Sequence, residues 1–66
     1  MPLDPSKIRA ERERQQLTQA EAAERAGMAQ PNWARLESGE RSDPQLSTAE
    51  RIATALRCPL AKLVAK

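Results

Sequence analysis

The amino-acid sequence predicts a single all-α domain of five short helices, and its apolar residues are the first reason. Twelve of them are alanines, Trp33 is the single aromatic residue, and the hydrophobic fraction is 39%. A core of small residues suits close-packed helices better than a sheet, which favours β-branched and aromatic side chains. The second reason is the helical spacing of the larger apolar residues. The third is a series of helix start and stop signals, and 66 residues are enough for one domain, residues 1–66.

The first two helices are predicted from their starts. The Asp4-Pro5 pair suits a helix start, because Asp is a good N-cap and the N–H that Pro lacks would be unpaired there. Strong helix formers extend this helix over residues 5–16. Thr18 and Glu21 have the spacing of a capping box, which begins a second helix over 19–26.

Glycines and a second cap bound the helices that follow. Gly27 is expected to end the second helix and Gly39 a third over 30–38, since the residue after a helix often takes a positive φ. Ser47 and Glu50 predict a second capping box at the start of a fourth helix. The apolar stripe that extends this helix to about Arg57 consists of Leu46, Ala49, Ile52, Ala53 and Leu56.

Charge and residue usage narrow the class of protein. The 11 basic and 9 acidic residues give a net charge of +2, which permits nucleic-acid binding without demanding it. Cys58 is the single cysteine and there is no histidine, so neither a disulfide nor a zinc site is expected. The sequence lacks a nucleophile–base pair and a glycine-rich phosphate loop, so we predict no enzyme, no catalytic residues, no metal and no cofactor. It also lacks an apolar stretch suited to a membrane span or a secretion signal, so a cytoplasmic location is expected.

Two short helices joined by a three-residue turn that contains Gly27 have the outline of a helix-turn-helix, here about residues 18–38. This segment and the residues around it strongly resemble the phage-repressor and Cro class, often called XRE-like. The residues that match the pattern of the class are Leu17, Thr18, Gln19, Ala23, Gly27, Arg35, Leu36, Glu37 and Gly39. The resemblance runs from about Ile8 to Val64 and implies a lambda-repressor-like fold.

The resemblance further implies that the third helix reads DNA bases. Trp33 and Leu36 are spaced to face inward, which leaves Gln30, Asn32 and Arg35 as candidates for the outer face. Arg binds guanine O6 and N7 bidentately, and Gln or Asn binds adenine N6 and N7. The alternatives are that Arg35 makes ordinary surface ion pairs and that Asn32 contacts only phosphate.

Four residues are candidates for the DNA backbone. Gln19, at the start of the second helix, resembles the phosphate-contacting glutamine of the class, although it could be a plain first-turn residue. Arg41 and Ser42 lie in the following loop, where the class commonly touches the backbone. Arg9 is a further phosphate candidate.

Other residues are assigned structural roles. Arg12 and Glu37 occupy positions where the class pairs Arg with Glu to tie the first helix to the third. Trp33 stands where Ile or Val is usual, and Ala22 and Ala26 stand where Leu is common, so the core volume is conserved. We therefore predict that Trp33 belongs to the core; stacking on a DNA base is the alternative.

Three positions depart from the pattern of the class. Ala29 replaces the Ser or Thr that normally caps the third helix, which costs about 1 kcal/mol unless Gln30 or a shifted helix start compensates. Arg57 stands where glycine is usual, which predicts a strained or differently shaped turn. Pro31 replaces a residue that often reads DNA, so that part of the readout does not carry over.

The predicted function is that of a sequence-specific DNA-binding transcriptional regulator, which binds a palindromic operator as a homodimer with the third helix in the major groove. Pro59 begins the fifth helix, whose Leu60, Leu63 and Val64 are the predicted dimer interface unless they simply complete the core. The alternative function is a protein-interaction module, such as an antitoxin or accessory subunit, which would lack salt-dependent DNA binding. Neither a membrane nor a small-molecule partner is expected.

Overall fold

The computed structural model describes residues 1–65, and its elements are α1 (Pro5–Arg14), α2 (Gln19–Ala26), α3 (Gln30–Ser38), α4 (Leu46–Ala55) and a 3-10 turn (Leu60–Lys62). The predicted all-α class is confirmed, but the expected fifth helix is only this turn. Pro59 is still extended and Leu63 already lies beyond the turn, so the segment is too short to propagate an α-helix. None of the helices within residues 1–65 has the length and apolar character to cross a bilayer.

Two helices end at non-glycine residues in the left-handed region. α1 stops at Arg14, earlier than predicted, because Gln16 has a φ of 60°. The Leu17 N–H donates to the Arg12 carbonyl at 3.1 Å, the six-to-one bond of a Schellman motif. Arg57 has a φ of 53° after α4, so the backbone keeps the turn that glycine would form there. Its side chain makes that conformation cost about 1–2 kcal/mol.

One of the two predicted capping boxes is present. The Thr18 hydroxyl accepts from the Glu21 N–H at 3.1 Å, and the Glu21 carboxylate accepts from the Thr18 N–H at 2.9 Å. The second box is wrong, because Gln45 is the extended N-cap of α4 and Ser47 is already the second helical residue. Leu46, predicted in the apolar stripe, is 52% exposed, since it lies in the first turn at the edge of the core.

The core lies where the four helices meet. Trp33 is fully buried there, in the same cluster as the small Ala22 and Ala26. The sequence reasoning missed Leu3, which is 1% exposed although it precedes the first helix. The full set of buried apolar residues is Leu3, Ile8, Ala22, Ala23, Ala26, Trp33, Leu36, Ala49, Ile52, Ala53, Ala55, Leu56 and Leu63.

The segments before α1 and after the 3-10 turn lie side by side. Leu3 and Val64 form an isolated antiparallel bridge, and the Asp4 N–H donates to the Leu63 carbonyl at 2.8 Å. Leu63 is 0% exposed, so its side chain belongs to the core of its own chain. Of the three residues predicted for a dimer interface, only Leu60 and Val64 retain exposed surface.

Candidate nucleic-acid interface

The turn between α2 and α3 sets the relative position of the two helices. Gly27 has a φ of 71°, in the left-handed region that favours glycine. The next N–H, from Met28, donates back to the Ala23 carbonyl at 3.0 Å, and the Met28 side chain packs against the core. Ala29 is the N-cap of α3 without a side-chain bond, as its departure from the class pattern predicted, and Pro31 lies in the first turn. The turn before α3 is therefore held in place by a backbone hydrogen bond and by the packing of Met28 on the core, which fixes where α3 starts.

The outer face of α3 carries the three residues predicted to read bases. Gln30, Asn32 and Arg35 are all exposed, and the Arg35 Nη1 donates to Asn32 Oδ1 at 3.2 Å. Trp33 and Leu36 lie on the opposite, buried face. Because Trp33 is 0% exposed, its ring has no free face on which a base could stack.

Beneath this face lies a buried carboxylate, that of Glu37, with only 6% of the residue exposed. Arg12 from α1 donates to it twice, with Nε 2.5 Å from Oε2 and Nη2 3.0 Å from Oε1. The indole Nε1 of Trp33 donates to Oε2 at 2.6 Å. The sequence reasoning assigned the pair with Arg12 and missed the bond from Trp33. The i, i+4 spacing on one helix was the available signal for that bond.

These contacts favour the ionised form of the carboxylate. Burial opposes ionisation of Glu37, but the hydrogen bonds from Arg12, Trp33 and Gln19 together outweigh it and hold its pKa below the ordinary value. The pKa of Arg12 is raised, chiefly by its hydrogen bond to Glu37. The two residues therefore form a charged pair that links α1 to α3.

Two of the predicted DNA-contacting residues, Gln19 and Arg9, contact Glu37, and a third, Gln30, is linked to it through Gln19. Gln19 Nε2 donates to Glu37 Oε1 at 3.2 Å, and Gln30 Nε2 donates to Gln19 Oε1 at 2.9 Å. Arg9 Nε lies 3.5 Å from the same Oε1, with 56% of its side chain exposed. The residues predicted separately as phosphate and base contacts are therefore joined at the surface where α1, α2 and α3 meet.

The loop after α3 borders a groove beside that helix. Arg41 is exposed and Ser42 is half-buried, and both line this groove together with Asn32. Thr48 and Arg51 of α4 line the same groove. The sequence reasoning missed these two, although their three-residue spacing on the polar side of α4 was a signal for a shared face.

Comparison with known proteins identifies the family to which this chain belongs. A family model described as a helix-turn-helix domain matches residues 6–65. The chain belongs to this helix-turn-helix family. The resemblance seen in the sequence is thereby confirmed.

The fold of this helix-turn-helix domain is shared with solved structures. The N-terminal DNA binding domain of SinR from Bacillus subtilis matches with a TM-score of 0.83 and 21% sequence identity, over 94% of this chain and 90% of that chain. At this identity the likeness shows a common fold. Among curated proteins, no sequence matches this chain.

The segment of residues 19–41, which contains α2, α3 and the start of the following loop, is more favourable to an anion than its sequence suggests. Residues 19–41 contain four acidic and three basic side chains. One of the acids, Glu37, is buried and neutralised by Arg12 from outside the segment. The exposed charges of the segment are therefore balanced, because burial removes the excess acid from the surface.

Proposed function

We propose that this domain is a sequence-specific DNA-binding transcriptional regulator, with α3 as the helix that enters the major groove. The observation that carries the proposal is the exposure of Gln30, Asn32 and Arg35 on a helix that buries Trp33 and Leu36. These amide and guanidinium groups match the donor and acceptor patterns of adenine and guanine in the major groove. Backbone contacts from Arg41, Ser42, Arg9 and Gln19 would flank these three residues and position the helix.

The proposed active form is a homodimer on a palindromic operator. One recognition helix reads only a few base pairs, and helix-turn-helix dimers place their half-sites about 34 Å apart. Leu60 and Val64 are the proposed contact, since they pack on the core but retain exposed surface.

The proposal is tested by selecting bound duplexes from a random pool at low salt and measuring the mass of the complex. We expect one enriched sequence with two-fold symmetry, bound by two copies of the chain. The logarithm of the affinity should fall linearly with the logarithm of the salt concentration, by about 0.9 per phosphate contacted. As a control, a triple Ala variant of Gln30, Asn32 and Arg35 should keep its helical circular dichroism and lose the enrichment.

A different outcome would favour the alternative function. If no sequence is enriched and the binding of DNA does not depend on salt, the proposal is wrong. The same surface would then have to serve a protein partner.

A further inference from the structure

A continuous chain of hydrogen bonds runs from the core to the outer face of α3. It links the Trp33 indole to Glu37, Glu37 to Gln19 and Gln19 to Gln30, over distances of 2.6, 3.2 and 2.9 Å. We propose that the Trp33 indole N–H is a positioning group for DNA recognition: by holding the Glu37 carboxylate, it fixes the side-chain amides of Gln19 and Gln30 and makes Gln30 prefer adenine. This inference rests on the proposed function.

The first step is the fixed orientation of the carboxylate. Oε2 of Glu37 accepts from the Trp33 indole and from Arg12 Nε, while Oε1 accepts from Arg12 Nη2 and from Gln19. The Glu37 side chain is 1% exposed, so solvent does not replace a protein donor that is removed. Trp33 is itself fully buried and its ring cannot shift without disturbing the core, which makes it a rigid donor.

The second step is the orientation of the Gln19 amide. An ionised carboxylate only accepts hydrogen bonds, so the group that Gln19 turns toward Glu37 must be its NH₂. The reverse orientation would place the Gln19 carbonyl oxygen against a negatively charged oxygen. The carbonyl therefore points away from Glu37, where it accepts from Gln30 Nε2 at 2.9 Å.

The third step is the edge that Gln30 presents to DNA. Its bond to Gln19 uses one N–H, which leaves the other N–H and the carbonyl oxygen. This pair of one donor and one acceptor complements N7 and the N6 amino group of adenine. Guanine offers two acceptors, O6 and N7, so the same edge meets an unfavourable partner there. Without this chain of hydrogen bonds, the Gln30 amide samples both orientations. DNA binding is then weaker, because fixing one orientation costs conformational entropy.

The contribution of Trp33 is chemical as well as steric. The Ile or Val that is usual at this position has no side-chain donor, so this link from the core is a property of this chain. The test must therefore remove the N–H and keep the volume. Replacing the indole of Trp33 with benzothiophene in a chemically synthesised chain does so, and Trp33→Phe is the variant that can be expressed.

The experiment is a double-mutant cycle for DNA binding between the benzothiophene replacement and Gln30→Ala. It uses the selected operator and its single-base variants at the position where Gln30→Ala relaxes the preference. We expect the replacement to weaken operator binding about three- to tenfold when Gln30 is present, and to have no effect in Gln30→Ala. The preference for adenine at that one position should fall in parallel. Ile52→Val, a core change outside the chain of bonds, should weaken binding equally with and without Gln30.

A second readout is independent of DNA. In the folded protein without DNA, NMR resonances of the Gln19 and Gln30 side-chain NH₂ groups should shift on the benzothiophene replacement and stay unchanged in Ile52→Val. Equal losses in both Gln30 backgrounds, or unshifted amide resonances, would overturn the inference while leaving the proposed function intact. If the wild-type chain selects no DNA sequence at all, the proposed function and the inference are both wrong.

Discussion

The indole nitrogen of Trp33 lies 2.6 Å from Oε2 of Glu37, one helical turn further along α3. Within residues 1–65, Trp33 is the largest fully buried side chain and Glu37 is the buried charged one. Tryptophan N–H groups need a hydrogen-bond partner when they are buried, and buried charges need paired donors. Each residue of this pair satisfies the requirement of the other, so packing and electrostatics depend on the same contact.

Truncation of Trp33 should therefore have a large effect on stability. Trp33→Ala leaves a cavity and a carboxylate with one donor fewer, which should cost about 3–5 kcal/mol of unfolding free energy. A chain of this length has a total stability of about 3–10 kcal/mol, so the variant should lose a large fraction of it. Urea denaturation followed by circular dichroism measures the effect, with the exposed Glu24→Ala as control. Trp fluorescence at the wavelength of free tryptophan in the folded wild type would contradict the buried position.

Stability should decrease at acid pH because of Glu37. Its pKa is lowered in the folded state, so its stabilising contribution is complete above the unfolded pKa of about 4.3 and is lost as the pH falls through the lower folded value. The pKa of Glu21 is also lowered, by its bonds with Thr18 in the capping box, and acts in the same direction. Urea midpoints between about pH 7 and pH 3 should fall steeply for the wild type and less steeply for Glu37→Gln. If Glu21→Gln flattens the profile and Glu37→Gln does not, the capping box is responsible.

Arg9 and Arg12 both contact Glu37, but their removal should affect different properties. Loss of Arg12 should lower the stability of the fold, and loss of Arg9 should weaken DNA binding. The Arg12 side chain is 13% exposed, and Arg12→Ala would leave Glu37 buried without its main partner, at a cost of about 3–5 kcal/mol in unfolding free energy. The Arg9 side chain is 56% exposed, so Arg9→Ala should change that free energy by about 1 kcal/mol or less. It should instead weaken DNA binding and reduce the salt slope by about 1. Equal losses of stability in thermal melts would argue against this division.

Arg35 and Arg41 should separate base reading from backbone contact. Arg35→Ala should cost about 1–3 kcal/mol on the preferred operator and relax the preference at one position of each half-site. Arg41→Ala should weaken all DNA sequences by a similar factor, because a phosphate contact carries no sequence information. Both residues are exposed, so the circular dichroism of each variant should match the wild type. Titrations against single-base operator variants distinguish the two roles. An equal effect of Arg35→Ala on every sequence would move the base reading to Gln30 and Asn32.

The burial of Leu63 changes how dimerisation is tested. Leu63→Glu should unfold the chain, because it places a charge in the core. Leu60→Glu, at a half-buried site, should instead leave the circular dichroism intact and weaken both self-association and operator binding. The exposed Lys62→Glu is the control, and sedimentation measures the association. A wild-type chain that stays monomeric at high micromolar concentration, with and without operator, would rule out the proposed dimer.

Local sequence signals predicted most of the fold. The bounds of α2 and α3 follow from the Thr18 capping box and the two glycines, which act within a few residues of the positions they determine. The local signals gave wrong or no predictions where tertiary contacts determine the structure. Ser47 has suitable spacing for a cap, but the N-cap of α4 lies two residues earlier, at Gln45. Leu3 has no helical pattern around it, and only its pairing with Val64 places it in the core.

The candidate site was predictable as a set of residues and not as a network. The resemblance identified Gln19, Gln30 and Glu37 by position, but which amide donates to which oxygen depends on the relative placement of three helices. The Leu63 side chain illustrates the same limit. Its apolar character fits either a core or an interface, and the folded structure assigns it to the core because Leu63 is completely buried.

The contact between Leu3 and Val64 joins the segment before α1 to the segment after the 3-10 turn. Leu3 and Leu63, one from each segment, lie in the same core cluster as Ile8 of α1, so both segments are needed to complete the core. Contacts between residues far apart in the sequence form against the entropy of closing a long loop, whereas the turns of a helix form locally. We therefore expect this pairing to form late in folding, after the helices that it closes over.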